Sequence, residues 1–362
     1  MNISSYNVTD IGYHYIGLRV LSEFSQATLR DNQTSAISRG VLKYATDKAL
    51  RLMLPAPKGT FETVGEKVCR ELVHFQFARS VKGAFEITES GKKVLELLNE
   101  KKYVELRRIM VIAHLQAYDN LRSIVQRHLE LKLMWRPVVE ISRLGDKDYI
   151  VGLLKPTFGP EAQRVASALS EKLRGQSTSK VEDVLTDAIL RQALPGVKIT
   201  VPLFRSMADR LVTLRLLNIA KTISTAGVFE KSYSPCVASS PPNEWYTRLD
   251  VPLSSGDIYA IYFCEPDISN KATQQKILKS LDESFAALSP EAGYYHLPDV
   301  RDFVCEHLKI PEAVFDEGIN CLLDLHPSPV TVGLVYEGIS ARRKPLVYTR
   351  GVTQIYNLIR RA

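Results

Sequence analysis

The segment 83–95, which reads GAFEITESGKKVL, constrains the fold of this chain more than any other. Apolar and polar residues alternate over residues 85–88, which is typical of a short half-buried strand. The run 89–91 interrupts this alternation, and the apolar residues that follow recur at helical spacing. Residues 78–82 have the composition of a partner strand. The sequence therefore predicts a β-hairpin that turns at Gly83 and leads into a helix.

A helix is predicted directly before this hairpin. Apolar residues recur at helical spacing over residues 64–77. Two earlier helices are predicted at residues 15–29 and 36–54, and the second of them would end at Pro55. The expected order is thus three helices, a basic β-hairpin and a closing helix.

This order resembles the winged helix-turn-helix superfamily, in the form found in many bacterial transcription regulators. The phrase FEITESGKKVL at residues 85–95 is similar to the return strand of a wing and the helix that follows it. The resemblance implies a third helix that lies in the major groove of DNA, and a hairpin that contacts phosphates or the minor groove.

The side chains that this resemblance assigns to DNA in the first block are mostly basic, and each phosphate that they neutralise adds affinity through counterion release. The outward face of the 64–77 helix is expected to carry Lys67, Arg70, Glu71 and His74. The hairpin is expected to add Arg79, Ser80 and Lys82. The alternative is that these residues form a solvated face on a domain that contacts other proteins.

A second block with a similar order of elements is predicted between residues 180 and 236. A helix over residues 202–217 is followed by a hairpin over residues 219–233, an order that again resembles a recognition helix and its wing. The exposed face of this helix is expected to carry Arg205, Ser206, Asp209, Arg210 and Thr213. Because arginine pairs with guanine edges, this helix is predicted to read bases. Lys221, which flanks the hairpin, is predicted to contact the DNA backbone. The alternative is an ion pair between Arg205 and Asp209 on a solvated face.

The third block differs because its second helix, predicted over residues 311–325, is acidic. This helix carries Glu312, Asp316, Glu317 and Asp324. Carboxylates at these positions would repel a phosphate backbone. A basic tip, Arg342-Arg343-Lys344, is expected in the loop that follows. Either this tip alone contacts nucleic acid or the helix meets a protein, and the block is predicted to be chiefly an interaction module.

The predicted fold class is α+β, mostly helical, with serial winged-helix domains and short β-hairpin wings. The expected division is an N-terminal winged-helix domain at 1–102, a helical connector at 103–175, a second winged-helix domain at 176–240 and a C-terminal winged-helix-like domain at 250–362. Within the connector, a helical region is expected over roughly residues 103–134 and a strand over residues 149–154.

Charge and composition favour a polyanion as partner and an intracellular location. The net charge is +7 and the isoelectric point is near 9.0. No apolar run approaches the ~18 residues of a membrane-spanning helix, and the first residues lack the features of a secretory signal. Five cysteines that are scattered along the chain are typical of reduced thiols. The expected location is the cytoplasm.

The chain lacks the common catalytic motifs, so neither catalysis nor a cofactor is expected. Two weaker alternatives remain. The run 146–148 beside the expected strand would be the carboxylate cluster of a metal-dependent nuclease, although its place after Gly145 is typical of a hairpin turn. A zinc ion would require Cys305, His307, Cys321 and His326, although the two cysteines stand at core spacing.

The function expected from the sequence is binding of double-stranded DNA through tandem winged-helix domains. Proteins of this modular type occur as regulators and as subunits of mobile-element or phage-defence systems, an association that is suggestive only. The alternative is a scaffold or adaptor that holds an ATPase or nuclease without contacting DNA. A protein partner bound through the C-terminal domain and a homo-oligomer are both compatible with this interpretation.

Overall fold

The computed structural model of the protein describes residues 10–24, 29–51, 61–131, 143, 146–225, 228–333, 346–350, 352–356 and 358–362. In these ranges the chain is α+β and mostly helical, as the sequence predicts. The α-helices are α1 Gly12–Glu23, α2 Arg30–Arg51, α3 Val64–His74, α4 Glu89–Asn99, α5 Tyr103–Ala117, α6 Asp119–Leu131, α7 Lys147–Phe158, α8 Ala162–Leu173, α9 Thr178–Ala193, α10 Val201–Thr213, α11 Lys271–Ala287, α12 Leu297–Leu308 and α13 Glu312–Leu323. The strands are β1 Ala78–Val81, β2 Ala84–Ile87, β3 Leu217–Thr225, β4 Val228–Pro235, β5 Val237–Ala238, β6 Tyr246–Pro252, β7 Ile258–Cys264, β8 Tyr295–His296, β9 Val330–Gly333, β10 Leu346–Arg350, β11 Val352–Tyr356 and β12 Leu358–Arg361.

The chain forms two compact units, and each is built from segments that are distant in sequence. The first unit takes its described residues from Met1–Ser123, Pro202–Leu214 and Leu249–Ala260. The second takes them from Ile124–Val201, Arg215–Arg248 and Ile261–Ala362. Helix α10 therefore belongs to the first unit, whereas α9 and the β3–β4 hairpin belong to the second. The four domain boundaries expected from the sequence stay a prediction.

Three helices, α1, α2 and α3, pack on one another in the first unit. Leu18, Ile37 and Leu72 are fully buried, one from each helix. Helices α2 and α3 approach closely at Gly65, where an added Cβ would lie 1.9 Å from the carbonyl oxygen of Thr34. Any side chain at position 65 would collide with backbone, so this close contact depends on glycine.

The β-hairpin predicted around Gly83 is confirmed. Strands β1 and β2 are antiparallel, with Val81 opposite Ala84. The two turn residues, Lys82 and Gly83, both have positive φ, at 45° and 80°. Positive φ at both central positions is the requirement of a tight hairpin turn that matches the twist of the strands.

The side chain of Gln33 on α2 holds this hairpin in place. Its Nε2 donates to the carbonyl oxygen of Phe85 at 2.9 Å, and its Oε1 accepts from the N–H of Phe85 at 2.8 Å. The amide thus pairs with one residue of β2 as a neighbouring strand would. After β2, the hydroxyl of Thr88 accepts from the N–H of Gly91 and caps α4. The closing helix is confirmed.

The helical region expected over residues 103–134 is confirmed up to residue 131, and Tyr118, which has extended backbone, divides it into α5 and α6. The strand expected over residues 149–154 is wrong, because these residues lie inside α7. The carboxylate of Asp146 accepts the N–H groups of Asp148 and Tyr149 and so begins this helix. A capping aspartate, rather than a hairpin turn, explains the polar run that precedes the aliphatic residues.

The second unit contains a long antiparallel hairpin, β3–β4, and a core formed by α11, α12 and α13. Next to these helices lies a three-stranded sheet in the order β8-β12-β9. The remaining strands form a sheet in the order β5-β7-β6 and the hairpin β10–β11. The predicted hairpin over residues 219–233 is confirmed, as is the helix predicted over residues 311–325, and the end of the chain is a strand.

None of the helices in the described ranges is long and apolar enough to cross a membrane. Four of the cysteines, Cys69, Cys236, Cys264 and Cys305, are buried, and Cys321 is half-buried. Burial raises the pKa of Cys305 well above its ordinary value. The placement of this thiol among core residues is therefore confirmed.

Candidate nucleic-acid interface

Four basic residues predicted to contact DNA lie on α3 and the β1–β2 hairpin of the first unit. Lys67 is half-buried and Arg70 is exposed on α3. Arg79 is exposed on β1, and Lys82 is exposed at the turn. We call these four residues the α3–hairpin set.

Two members of this set form ion pairs within the first unit. Arg70 donates its Nε to Oε1 of Glu66 at 2.8 Å, one helical turn away. Arg79 donates its Nε and Nη2 to Oε2 of Glu86 at 3.1 and 2.9 Å, directly across the hairpin. Exposed pairs of this kind contribute at most ~1 kcal/mol, so these guanidinium groups exchange partners easily.

A third arginine, Arg30 at the start of α2, joins the pair on α3. It donates its Nε to Oε2 of Glu66 at 3.1 Å and its Nη2 to Oε1 of the same carboxylate. Its guanidinium carbon also lies 4.7 Å from the centre of the Phe85 ring. Hydrogen bonding to Arg30 is the main cause that lowers the pKa of Glu66. Sequence reasoning missed Arg30 and Glu66, although the i,i+4 spacing of Glu66 and Arg70 was a signal.

Lys82 differs from its neighbours in the set. Among the described residues, no hydrogen bond or ion pair engages its ammonium group. It also occupies a left-handed conformation that a lysine rarely adopts and that asparagine or glycine favours. A charged side chain therefore projects from the tip of the hairpin.

The prediction that Arg210 lies on an exposed face of α10 and reads bases is wrong. The residue is only 2% exposed, and its Nη2 donates to Oε1 of Glu71 at 2.6 Å. Glu71, expected on the outward face of α3, is fully buried. The helical period places both residues on polar stripes. Each is nevertheless buried, because an opposite charge from a distant segment offsets the cost of removing it from water.

The other residues predicted on α10 are more accessible. Arg205 and Ser206 are half-buried, and the Ser206 hydroxyl donates to the carbonyl of Pro202 at 3.4 Å. Thr213 is exposed, and its hydroxyl donates to the carbonyl of Asp209 at 3.0 Å. Their contact with DNA stays a prediction. Lys221 lies on β3, but its side chain falls outside the described part of the chain, as do Arg342, Arg343 and Lys344.

A buried cluster from four segments surrounds Glu71, and we call it the Glu71 cluster. Its members are His14, Glu71, His114, Tyr118 and Arg210. Nε2 of His14 lies 2.5 Å from Oε2 of Glu71, opposite the bond from Arg210. Nδ1 of His114 lies 2.7 Å from the carbonyl oxygen of Met110, and its ring centre is 5.9 Å from that of His14. The sequence offered no signal for this cluster because its members share no local spacing.

The cluster has strongly shifted proton affinities. Burial alone would raise the pKa of Glu71, but the charge of Arg210 and the bond from His14 outweigh it and lower this pKa to about 2. Burial, followed by the charge of Arg210, lowers the pKa of His114 to about 3. The folded cluster thus holds an ionised carboxylate and a neutral His114 at neutral pH.

The acidic face predicted for α13 is wrong at Glu312, which is buried, whereas Asp316 is half-buried and Glu317 and Asp324 are exposed. Arg301 on α12 is buried and donates its Nε to Oδ1 of Asp316 at 2.8 Å, while its Nη1 lies 3.2 Å from Oε1 of Glu312. Glu317 accepts a bond from Arg215, and Asp324 is exposed. Most of the negative charge is therefore balanced within the second unit. Repulsion of phosphates by four carboxylates is no longer a reason to assign this block to protein contacts.

The alternative sites for catalysis have little support from the geometry. Asp146 uses its carboxylate to cap α7, so the run 146–148 does not stand beside a strand. In the described part of the chain, no group of three or more histidine, cysteine, aspartate or glutamate side chains has a geometry that would hold a metal ion. His307, one of the four residues considered for zinc, has its Nδ1 2.9 Å from the carboxylate of Glu283.

Comparison of the chain with known protein families, with curated proteins and with solved structures finds no match.

Proposed function

We propose that residues 10–99 form a winged-helix unit that binds duplex DNA, with α3 in the major groove and the β1–β2 hairpin on the backbone. Support comes from three mutually packed helices, a two-stranded hairpin and a closing helix in that order. The double hydrogen bond between Gln33 and Phe85 ties the hairpin to α2, on which α3 packs, so α3 and the hairpin keep a fixed relation.

The observation that carries the proposal is Lys82 at the tip of the hairpin. A left-handed conformation costs a non-glycine residue roughly 1–2 kcal/mol. A lysine at such a position exposes its ammonium group at the point that would approach a phosphate first. Phosphate contact explains why a charged residue stands where the turn favours asparagine.

For the second block, we propose fewer DNA-contacting residues than the sequence predicts. Its hairpin β3–β4 belongs to the second unit, and α10 belongs to the first. Arg210 is excluded from DNA contact by its burial. We therefore assign duplex binding first to the α3–hairpin set, and Arg205, Ser206 and Thr213 remain secondary candidates.

The test is the salt dependence of binding to a labelled random-sequence duplex of about three helical turns, followed by fluorescence anisotropy. If the protein neutralises about five phosphates, the log–log slope should be near −4 to −5 between about 50 and about 300 mM salt. In Lys82→Asn, the turn is preserved and the charge removed, so the slope should become shallower by about 0.9.

Lys172→Asn is the matched control for this measurement. Lys172 is exposed on α8 in the second unit, so its replacement removes the same charge without touching the hairpin. We expect the wild-type slope to persist in this variant. Absence of binding at low salt, or an affinity that does not change with salt, would refute the proposed function.

The alternative function is an adaptor that uses the same face for a protein. It is favoured by the ion pairs of Arg70 and Arg79, because a paired arginine brings less net charge to a phosphate. Failure of duplex binding would support this alternative. If wild type binds a protein partner and both Arg70→Ala and Arg79→Ala fail to bind it, that partner contacts the α3–hairpin set.

A further inference from the structure

We infer that Glu66 is a positioning residue that holds Arg30 and Arg70 together as a two-arginine clamp for a DNA phosphate. This inference rests on the proposed function. It concerns Arg30 on α2 and Glu66 on α3, which the fold brings together across the two helices.

The geometry around Glu66 is that of a shared anchor. Oε1 accepts from both arginines, and Oε2 accepts the Nε of Arg30, so the Arg30 fork binds both oxygens. The two arginines come from different helices, α2 and α3. The Phe85 ring lies under the Arg30 guanidinium and limits its freedom on the other side.

Without Glu66 the two guanidinium groups would separate. Each is positive, and the hydrogen bond to Glu66 is the main cause that raises the pKa of Arg30, against a smaller opposing effect of the Arg70 charge. One carboxylate between them removes this repulsion and leaves the three groups with a net positive charge. The clamp therefore keeps attraction for an anion while its arginines stay close.

A held arginine binds a phosphate better than a mobile one. Glu66 occupies the Nε–Nη2 edge of Arg30, so the Nη1 and remaining Nη2 N–H groups of the same rigid plane are the donors that stay aligned for a phosphate nearby. Ordering a flexible side chain on binding costs free energy, and Glu66 supplies that order beforehand. This makes Glu66 favourable for binding in spite of its negative charge.

A purely electrostatic role predicts the opposite sign. A carboxylate near the backbone repels phosphates, so its removal should tighten binding. Glu66→Gln therefore separates the two interpretations, because it removes the charge and weakens the anchor while conserving side-chain size. Glu89→Gln is the matched control, since Glu89 is an exposed glutamate on α4 that pairs only with its neighbour Lys92 among the ion pairs of the described residues.

The experiment measures the Kd of the full-length protein for the same random-sequence duplex at about 150 mM salt. We expect Glu66→Gln to bind roughly 3- to 10-fold more weakly than wild type, which corresponds to the ordering cost of one or two arginines. Glu89→Gln should bind as wild type or slightly more tightly. Thermal unfolding of each variant should match wild type, because the Glu66 carboxylate lies outside the core.

Arg30→Lys tests whether the clamp acts as a unit. This variant keeps the charge and loses the fork, and it should weaken binding to a similar degree. In the Glu66→Gln background, the same replacement should have little further effect. Equal or tighter binding by Glu66→Gln, or additive losses in the double variant, would overturn the clamp and leave the proposed function intact. If wild type does not bind the duplex, the proposed function fails and the clamp fails with it.

Discussion

At the residue scale, His114 determines how the first unit responds to pH. Its side chain has no exposed surface, and the groups that face it are His14, Glu71, Tyr118 and Arg210. An unfolded histidine has a pKa near 6.5, whereas burial and the charge of Arg210 lower the pKa of His114 to about 3. Protonation therefore favours the unfolded chain.

We expect the melting temperature to fall as the pH drops below about 6.5, because the contribution of His114 is complete above that value and is lost toward pH 3. Glu71 acts in the same direction at lower pH, since its folded pKa is also depressed. His114→Phe retains a ring beside Phe75, whose ring centre lies 4.5 Å away, and should flatten the profile between about pH 6.5 and about pH 4.5.

The control for this prediction is His307→Gln. His307 is exposed on α12, so its replacement should leave the pH profile unchanged. A His114→Phe profile as steep as that of wild type would show that another group is responsible for the loss of stability in acid.

Single residues also mark the limit of what the sequence predicts. The exposed positions of Arg79 and Lys82 follow from a short strand and a turn that are close in sequence, which is local information. Burial of Arg210 depends on Glu71, which lies in another segment of the chain. Helical spacing identifies the polar stripe of a helix but not the distant charge that covers it. Arg301 is buried for the same reason, because Glu312 and Asp316 balance its charge.

At the scale of elements, prediction succeeded where turn and cap signals were local. Gly83 and Thr88 define the hairpin and the start of α4 within a few residues. The helix α7 was predicted as a strand because a short aliphatic run fits both states, and Asp146 was interpreted as part of a turn. The α2–α3 contact at Gly65 was not predictable because nothing nearby indicates that Thr34 lies against it.

A pair of glycine replacements tests this close contact. Gly65→Ala would place a Cβ 1.9 Å from a backbone oxygen, so α2 and α3 must separate, and we expect a loss of roughly 1–3 kcal/mol in the free energy of unfolding. Gly152→Ala, inside α7, meets no atom within 4 Å and should stabilise the protein by about 0.5–1 kcal/mol.

Urea unfolding of the two variants measures both changes. Because the substitution is the same, a difference in sign isolates the helix contact from helix propensity. Two variants that are equally stable would mean that α2 and α3 adjust around the new methyl group at little cost.

At the scale of the whole molecule, the chain cannot be divided at one point into its two units. The first unit includes residues 202–214 and 249–260, which follow long segments of the second. Trp245 belongs to the core that contains Ile277 and Phe315. A truncation after Pro252 would therefore remove most of that core, and it would not report on the function of the third block.

Substitutions of the two buried arginines address each unit in the intact chain. Arg210→Met leaves Glu71 buried without its strongest counter-charge, and Arg301→Met does the same to Glu312 and Asp316. Removing one partner of a buried ion pair costs roughly 3–5 kcal/mol. Arg191→Met serves as the control, because Arg191 forms an exposed pair with Asp187.

Hydrogen exchange measured by mass spectrometry locates each loss. We expect Arg210→Met to lose amide protection in α1, α3 and α5, which hold the Glu71 cluster, and Arg301→Met to lose it in α11, α12 and α13. Arg191→Met should exchange as wild type does. If either arginine variant loses protection equally in both sets of helices, the two units unfold as one cooperative structure. The separate buried charges would then stabilise the whole chain rather than the unit that contains them.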